Sequence, residues 1–152
     1  MPSISQFLSA DHRRCDDLFI AAERAVAAQD WICGIRLFDD FHNAIERHLA
    51  MEEQVLFAAY EAVVGTQGPS QVMRMEHEQM RALFEYMARA AREQARAEYL
   101  GLTETLLVLL QQHNKKEEHI LYPLCDNLLA ESADDLIARM RCVAAGPVTE
   151  PV

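Results

Sequence analysis

The sequence predicts an all-α fold, an antiparallel up-down-up-down four-helix bundle with a short C-terminal extra helix. Three observations predict it. Glycine and proline number only five each in 152 residues, while Ala, Leu, Met, Glu, Gln and Arg, the good helix formers, are plentiful. Apolar residues recur at three- and four-residue steps along four long stretches, the signature of helices with one buried face. One segment, Gly65-Thr66-Gln67-Gly68-Pro69, breaks that pattern unmistakably.

Pro2-Ser3 offers the first helix start, and its stripe runs through Ser5, Leu8, His12, Cys15, Phe19, Ala22 and Val26. Asp30 is suited to cap the second helix, striped Phe38, Phe41, Ile45, His48, Glu52, Val55 and Ala59. Ser70 is read as the cap of the third, striped Met73, His77, Met80, Phe84, Met87 and Ala91. The fourth runs Leu106, Leu110, His113, Glu117, Ile120 and Leu124. No local signal separates the third helix from the fourth. A further short helix is expected over 132–144, then a loose tail marked by Gly146, Pro147 and Pro151. The bundle is assigned to residues 1–130, and the short helix with its flexible tail to 131–152.

Composition narrows the function. The formal charge of −10 repels phosphate backbones and anionic lipid heads, so neither nucleic acid nor a membrane surface is an expected partner. No apolar run approaches the roughly 20 residues that span a bilayer. The opening residues lack a basic segment followed by an apolar run, so no secretory leader is expected. Cys15, Cys33, Cys125 and Cys142 are widely spaced and form no CxxC pair. They read as reduced thiols of a cytoplasmic protein.

An internal repeat carries the functional argument. At an offset of 65 residues, Asp11-His12 falls on Glu76-His77, Leu18-Phe19 on Leu83-Phe84, and His48 on His113. Glu52-Glu53 falls on Glu117-Glu118, Leu56 on Leu121, and Phe57 on Tyr122. Residues four apart share a helix face, so His48 points with Glu52, and His113 with Glu117. Asp30 lies midway between His12 and His48, which places both at one height across a hairpin. The same symmetry puts the missing turn near Ala95, midway between His77 and His113. All six side chains then meet in one core layer.

Burying a carboxylate costs several kcal/mol unless it is compensated, roughly, and two near each other also repel. Cations resolve the conflict. Imidazole nitrogen with carboxylate oxygen suits iron, manganese or zinc. Two carboxylates able to bridge, with two histidines on each side, indicate two metals. The expected ligands are His12, His48, Glu52, His77, His113 and Glu117. A single His-x-x-x-Glu pair would carry little weight, since most are surface pairs; two pairs and two further histidines in register do.

The pattern His12 … His48-x-x-x-Glu52 … His77 … His113-x-x-x-Glu117 resembles the hemerythrin-like, or HHE cation-binding, family across residues 1 to about 130. The flanking Glu52-Glu53-x-x-Leu56-Phe57 and Glu117-Glu118-x-x-Leu121-Tyr122-Pro123 resemble its signature too. The resemblance implies a non-haem di-iron site, two iron ions in an Fe-O-Fe centre. Glu52 and Glu117 would bridge, the four histidines would be terminal ligands, and O2 would bind at an open iron position. Oxygen-carrying members take a fifth histidine four residues after the third; here that residue is Arg81. The departure leaves room for an enzyme reacting with peroxide or nitric oxide, or assisting iron-centre repair.

Other residues are placed by default physics. His42-x-x-x-Glu46 has no counterpart at the offset and points about 120° away from His48, so it is read as surface or supporting. His119 is read as solvated. Asp16 is read as an acceptor for a ligand imidazole N–H. Cys15 and Met80, one turn from His12 and His77, should line the pocket, with Phe19, Phe41, Phe84 and Met73 keeping it dry.

Overall fold

The computed structural model describes residues 1–146, and these are helical throughout apart from short turns and the chain ends. α1 (Ile4–Ala27) is opened by a capping box, in which the Ser3 hydroxyl accepts from the Gln6 amide and the Gln6 side chain accepts from the Ser3 amide. α2 (Trp31–Met51) is capped by Asp30, as expected. It runs through a π-helical turn, Glu52–Leu56, into α3 (Phe57–Val64). α4 (Pro69–Arg92) and α5 (Arg96–Lys116) follow. A second π-helical turn, Glu117–Leu121, leads into α6 (Tyr122–Leu128). α7 (Ala133–Ala145) closes the described chain close to the expected position. Pro147 and Pro151 of the expected tail lie outside the described residues.

The turn that the sequence hid is a Schellman motif. α4 ends at Arg92, Gln94 takes a positive φ of 54°, the Gln94 amide bonds to Ala91 and the Ala95 amide to Ala90. The first hairpin has the same motif at the repeat offset, with Gln29 at φ 59° and matching bonds to Val26 and Ala25. Glutamine in this left-handed position costs about 1–2 kcal/mol more than glycine would. With no glycine at either position, the first break is marked locally only by the Asp30 cap, and the second, where Ala95 offers no capping side chain, is not marked at all. One expectation is corrected here. Gly68, at φ 135°, precedes α4 and Pro69 opens it, so Ser70 lies inside the first turn. Its buried hydroxyl donates to Glu61 at 2.7 Å instead of capping.

α1 packs along α2 and α5, and α4 along α5 and α2. Ser5 in the first turn of α1 meets Asp126 in α6, while Arg96 at the start of α5 donates to the Ala27 carbonyl at the end of α1. Two apolar clusters result. One joins Cys15, Phe19, Phe38, Phe41, Met80, Phe84, Tyr99 and Leu106 toward the hairpin turns. The other joins Ile4, Leu8, Leu56, Phe57, Met73 and Leu121 to Leu136, Ile137 and Met140 of α7. Between them lies the polar layer. No helix of the described residues is long and apolar enough to cross a membrane.

The two π turns rephase the helices that carry them. Ile120 is 54% exposed and Leu124 37%, against the expectation that both continue the buried stripe of the fourth helix. Leu121, Tyr122 and Cys125 are buried in their place, because one extra residue in the turn rotates everything after it.

Candidate metal centre

The six residues singled out by the repeat form one buried layer. Glu52, Glu117 and His77 have no exposed surface, His48 and His113 have 1%, and His12 has 3%. They fall into two groups of four whose potential ligand atoms all lie within 4.8 Å of one another. One group is His12, His48, Glu52 and Glu117; the other is Glu52, His77, His113 and Glu117. Both glutamates belong to both groups, so a carboxylate could be shared between two cations. His42 and Asp16 belong to neither; His42 packs its ring on Phe38 and Phe84, and His119 is exposed.

Each imidazole is aimed by a carboxylate from a different helical rod. Nδ1 of His48 donates to Asp11 on α1 at 2.8 Å, and Nδ1 of His113 donates to Glu76 on α4 at 2.9 Å. Nδ1 of His12 donates to Glu118 of the second π turn at 3.0 Å, and Nδ1 of His77 to Glu53 of the first at 2.7 Å. An ionised carboxylate only accepts, so every Nδ1 carries the hydrogen and every Nε2 faces the layer. This is the outer arrangement that orients metal-binding histidines. These four acceptors, not Asp16, take the imidazole hydrogens. Asp11 and Glu76 each precede a layer histidine by one residue, which turns them about 100° aside, toward the neighbouring helix.

The outer carboxylates are themselves braced. Arg81 makes paired bonds to Glu53 at 2.9 Å and reaches Glu46 and Glu78. Lys116 pairs with Glu76, and Arg14 with Asp11. Burial works against ionised Glu53, but His77 and Arg81 prevail and bring its pKa down to about 2.

Tyr122 is the residue the periodicity did not reveal. Five residues of α-helix would set it about 140° around from Glu117. The π turn, closed by the Tyr122 amide bonding to the Glu117 carbonyl, brings both onto one face. Its hydroxyl donates to Glu52 Oε2 at 2.7 Å, and lies 3.1 Å from His12 Nε2, 3.2 Å from Glu117 Oε1 and 3.4 Å from His48 Nε2. The available signal was the Glu-Glu-x-x-Leu-aromatic run in both halves of the repeat.

The charges in the layer are mutually dependent. Burial disfavours the imidazolium of His12, yet Glu117 and Glu118 outweigh it and raise the pKa to about 10. Glu52 and Glu53 do the same for His77, to about 9. Burial also raises Glu117, but its bond with Glu52 and the imidazoles of His113 and His12 hold it well below the ordinary range. Burial, then the charges of Glu117 and Glu52, push the Tyr122 hydroxyl well above its ordinary range.

A cation fits this donor set on a direct observation. Among the described residues, Glu52 Oε1, Glu117 Oε2, His77 Nε2 and His113 Nε2 are buried without a hydrogen-bond partner. Thr103 Oγ1, in the wall of α5, is the other such atom. Unpaired buried polar atoms are rare because each costs about 1–3 kcal/mol. Four gathered in one layer, two carboxylate oxygens and two imidazole nitrogens that bind a cation once deprotonated, are what a positive ion relieves.

The helical fold and this layer define a protein of the histidine–carboxylate cation-binding class. The Hemerythrin HHE cation binding domain matches residues 3–125, and the chain belongs to that family. No curated protein and no solved structure matches the chain at a significant level.

Proposed function

We propose that the chain is a non-haem di-iron protein that binds O2, for storage, delivery or sensing. Its ligands are His12, His48 and His77, His113 with Glu52 and Glu117 shared. The observation that carries the reading is the pair of four-residue groups with both glutamates in common. The reversals seen between α1 and α5 support an up-down-up-down bundle over residues 1–130. When bound, two ferrous ions supply the two electrons that dioxygen needs to bind in reduced form. The protein's part is to hold four imidazoles by their Nδ1 hydrogens, to set two carboxyl groups side by side in an apolar surround, and to exclude bulk water with the clusters on either side. Manganese or zinc accept the same donors, and metal analysis discriminates among them.

One observation favours a second reading, an enzyme acting on peroxide or nitric oxide. Arg81, at the position of the fifth histidine of oxygen carriers, is engaged with Glu53, Glu46 and Glu78 and gives the layer no nitrogen. Optical spectra of the reduced, iron-loaded protein before and after air separate the two. A new visible band that reverses under vacuum is the expected result. Immediate oxidation without a stable adduct, together with turnover of peroxide above that of free iron, assigns the enzyme.

A further inference from the structure

We propose that Tyr122 is itself a ligand, giving a phenolate donor to the ion held by His12 and His48, and that this makes the two metal positions chemically unequal. The inference rests on the di-metal reading above. Metal–nitrogen and metal–oxygen bonds of about 2.0–2.2 Å put neighbouring donors of a six-coordinate ion about 3 Å apart. The Tyr122 oxygen stands at such edge distances from four donors at once: 2.7 Å from Glu52, 3.1 Å from His12, 3.2 Å from Glu117 and 3.4 Å from His48. An ion reached by those four donors has the phenol oxygen within bonding reach. On loading, the O–H bond breaks, its proton leaves to solvent, and the oxygen lone pair takes the coordination position; no electron is transferred. Proton release on metal binding is general for such ligands.

The other ion has no such donor. Phe57 occupies the equivalent place, stacked on His77 with ring centroids 5.5 Å apart, as Tyr122 stacks on His12 at 5.6 Å. Both unpartnered imidazole nitrogens belong to this side. The exchangeable position for a small ligand therefore lies at the His77–His113 ion.

The test is to load the full chain anaerobically with ferrous iron, oxidise it, and record visible and resonance Raman spectra with iron per chain. A phenolate-to-ferric charge-transfer band with tyrosinate ring modes is expected. Tyr122→Phe should lose both while keeping its iron. Ring-deuterated tyrosine in the unaltered protein, which should shift those modes, covers the case in which the variant fails to fold. Two irons per chain with no phenolate band, or a band that survives in Tyr122→Phe, overturns the inference and leaves the di-iron reading standing. Failure to bind iron at all overturns both.

Discussion

Around His12 and His48 the polar layer is closed by a phenol; around His77 and His113 it is closed by a phenyl ring. The imidazoles of the two half-sites are held alike. Asp11 holds His48 as Glu76 holds His113, and Glu118 holds His12 as Glu53 holds His77. Even the far end repeats, with Ser5 bonded to Asp126 and Ser70 to Glu61. The difference teaches how a duplicated scaffold acquires a direction. One hydroxyl bonds within the first half; the second has none, and there His77 and His113 Nε2 stand 3.3 and 3.1 Å from Glu52 and Glu117 without a well-directed hydrogen bond. The outer supports diverge too. Glu53 is gripped by Arg81, whereas Glu118 is 34% exposed and pairs with His12.

The largest expected effect erases the comparison altogether. Glu52→Ala or Glu117→Ala removes a carboxylate common to both halves, so both ions should be lost and metal should no longer raise the melting temperature. In the parent, metal at 100 times its dissociation constant adds about 2.7 kcal/mol, readable by calorimetry. Retention of one tight ion in either variant would show that the halves do not share the carboxylate.

Next come the outer carboxylates, whose loss typically weakens a metal site about 10–100-fold. Glu53→Gln should weaken the His77 side toward the upper end of that range, because it also breaks the paired charged contact with Arg81. Glu118→Gln should cost the His12 side less. Competition with a chelator gives both constants, and equal losses would deny that the bracing differs. Phe57→Tyr would sharpen the comparison from the other direction, adding a second phenolate transition if the halves differ by that hydroxyl alone. An unchanged spectrum would mean the second π turn has its own geometry.

The smallest effect concerns the far end of the fold. Arg74 holds Glu61 ionised below its ordinary pKa of 4.5, against slight burial and with help from the Ser70 hydroxyl. Ser9 stands at the equivalent place in the first half. A lowered folded pKa contributes stability that is present above 4.5 and lost as pH falls through the folded value. Glu61→Gln should therefore cost about 1 kcal/mol at neutral pH and progressively less below pH 4.5, measured by urea titration. A cost that stays constant into acid would assign it to packing.

How much of this was legible follows from where regular periodicity holds. His12, His48, Glu52, His77, His113 and Glu117 were found because each lies on an uninterrupted α-helical stripe, or at its last residue, and because the repeat sets them in register. The turn at Gln94 was found through symmetry alone, since glutamine carries no turn signal. Past Glu117 the stripe fails, whereas past Glu52 the expected Val55 stays buried and Leu56, Phe57 and Tyr60 join it. The π turn exchanges Ile120 and Leu124 for Leu121, Tyr122 and Cys125, and with them the phenol at the centre of the site. Asp16 was misjudged for a related reason. The i+4 rule looks along one helix, and the imidazole hydrogens are taken across the gap by Asp11, Glu53, Glu76 and Glu118. Contacts between helices depend on packing that a single stripe does not encode.

The central claim is that two cations share one layer, one in each half. The direct measurement is anaerobic titration of the metal-free chain with ferrous iron, beside the same titration of His77→Ala. Two equivalents bound tightly by the parent and one by the variant is the predicted result. A single equivalent in both, or none in the parent, would contradict it.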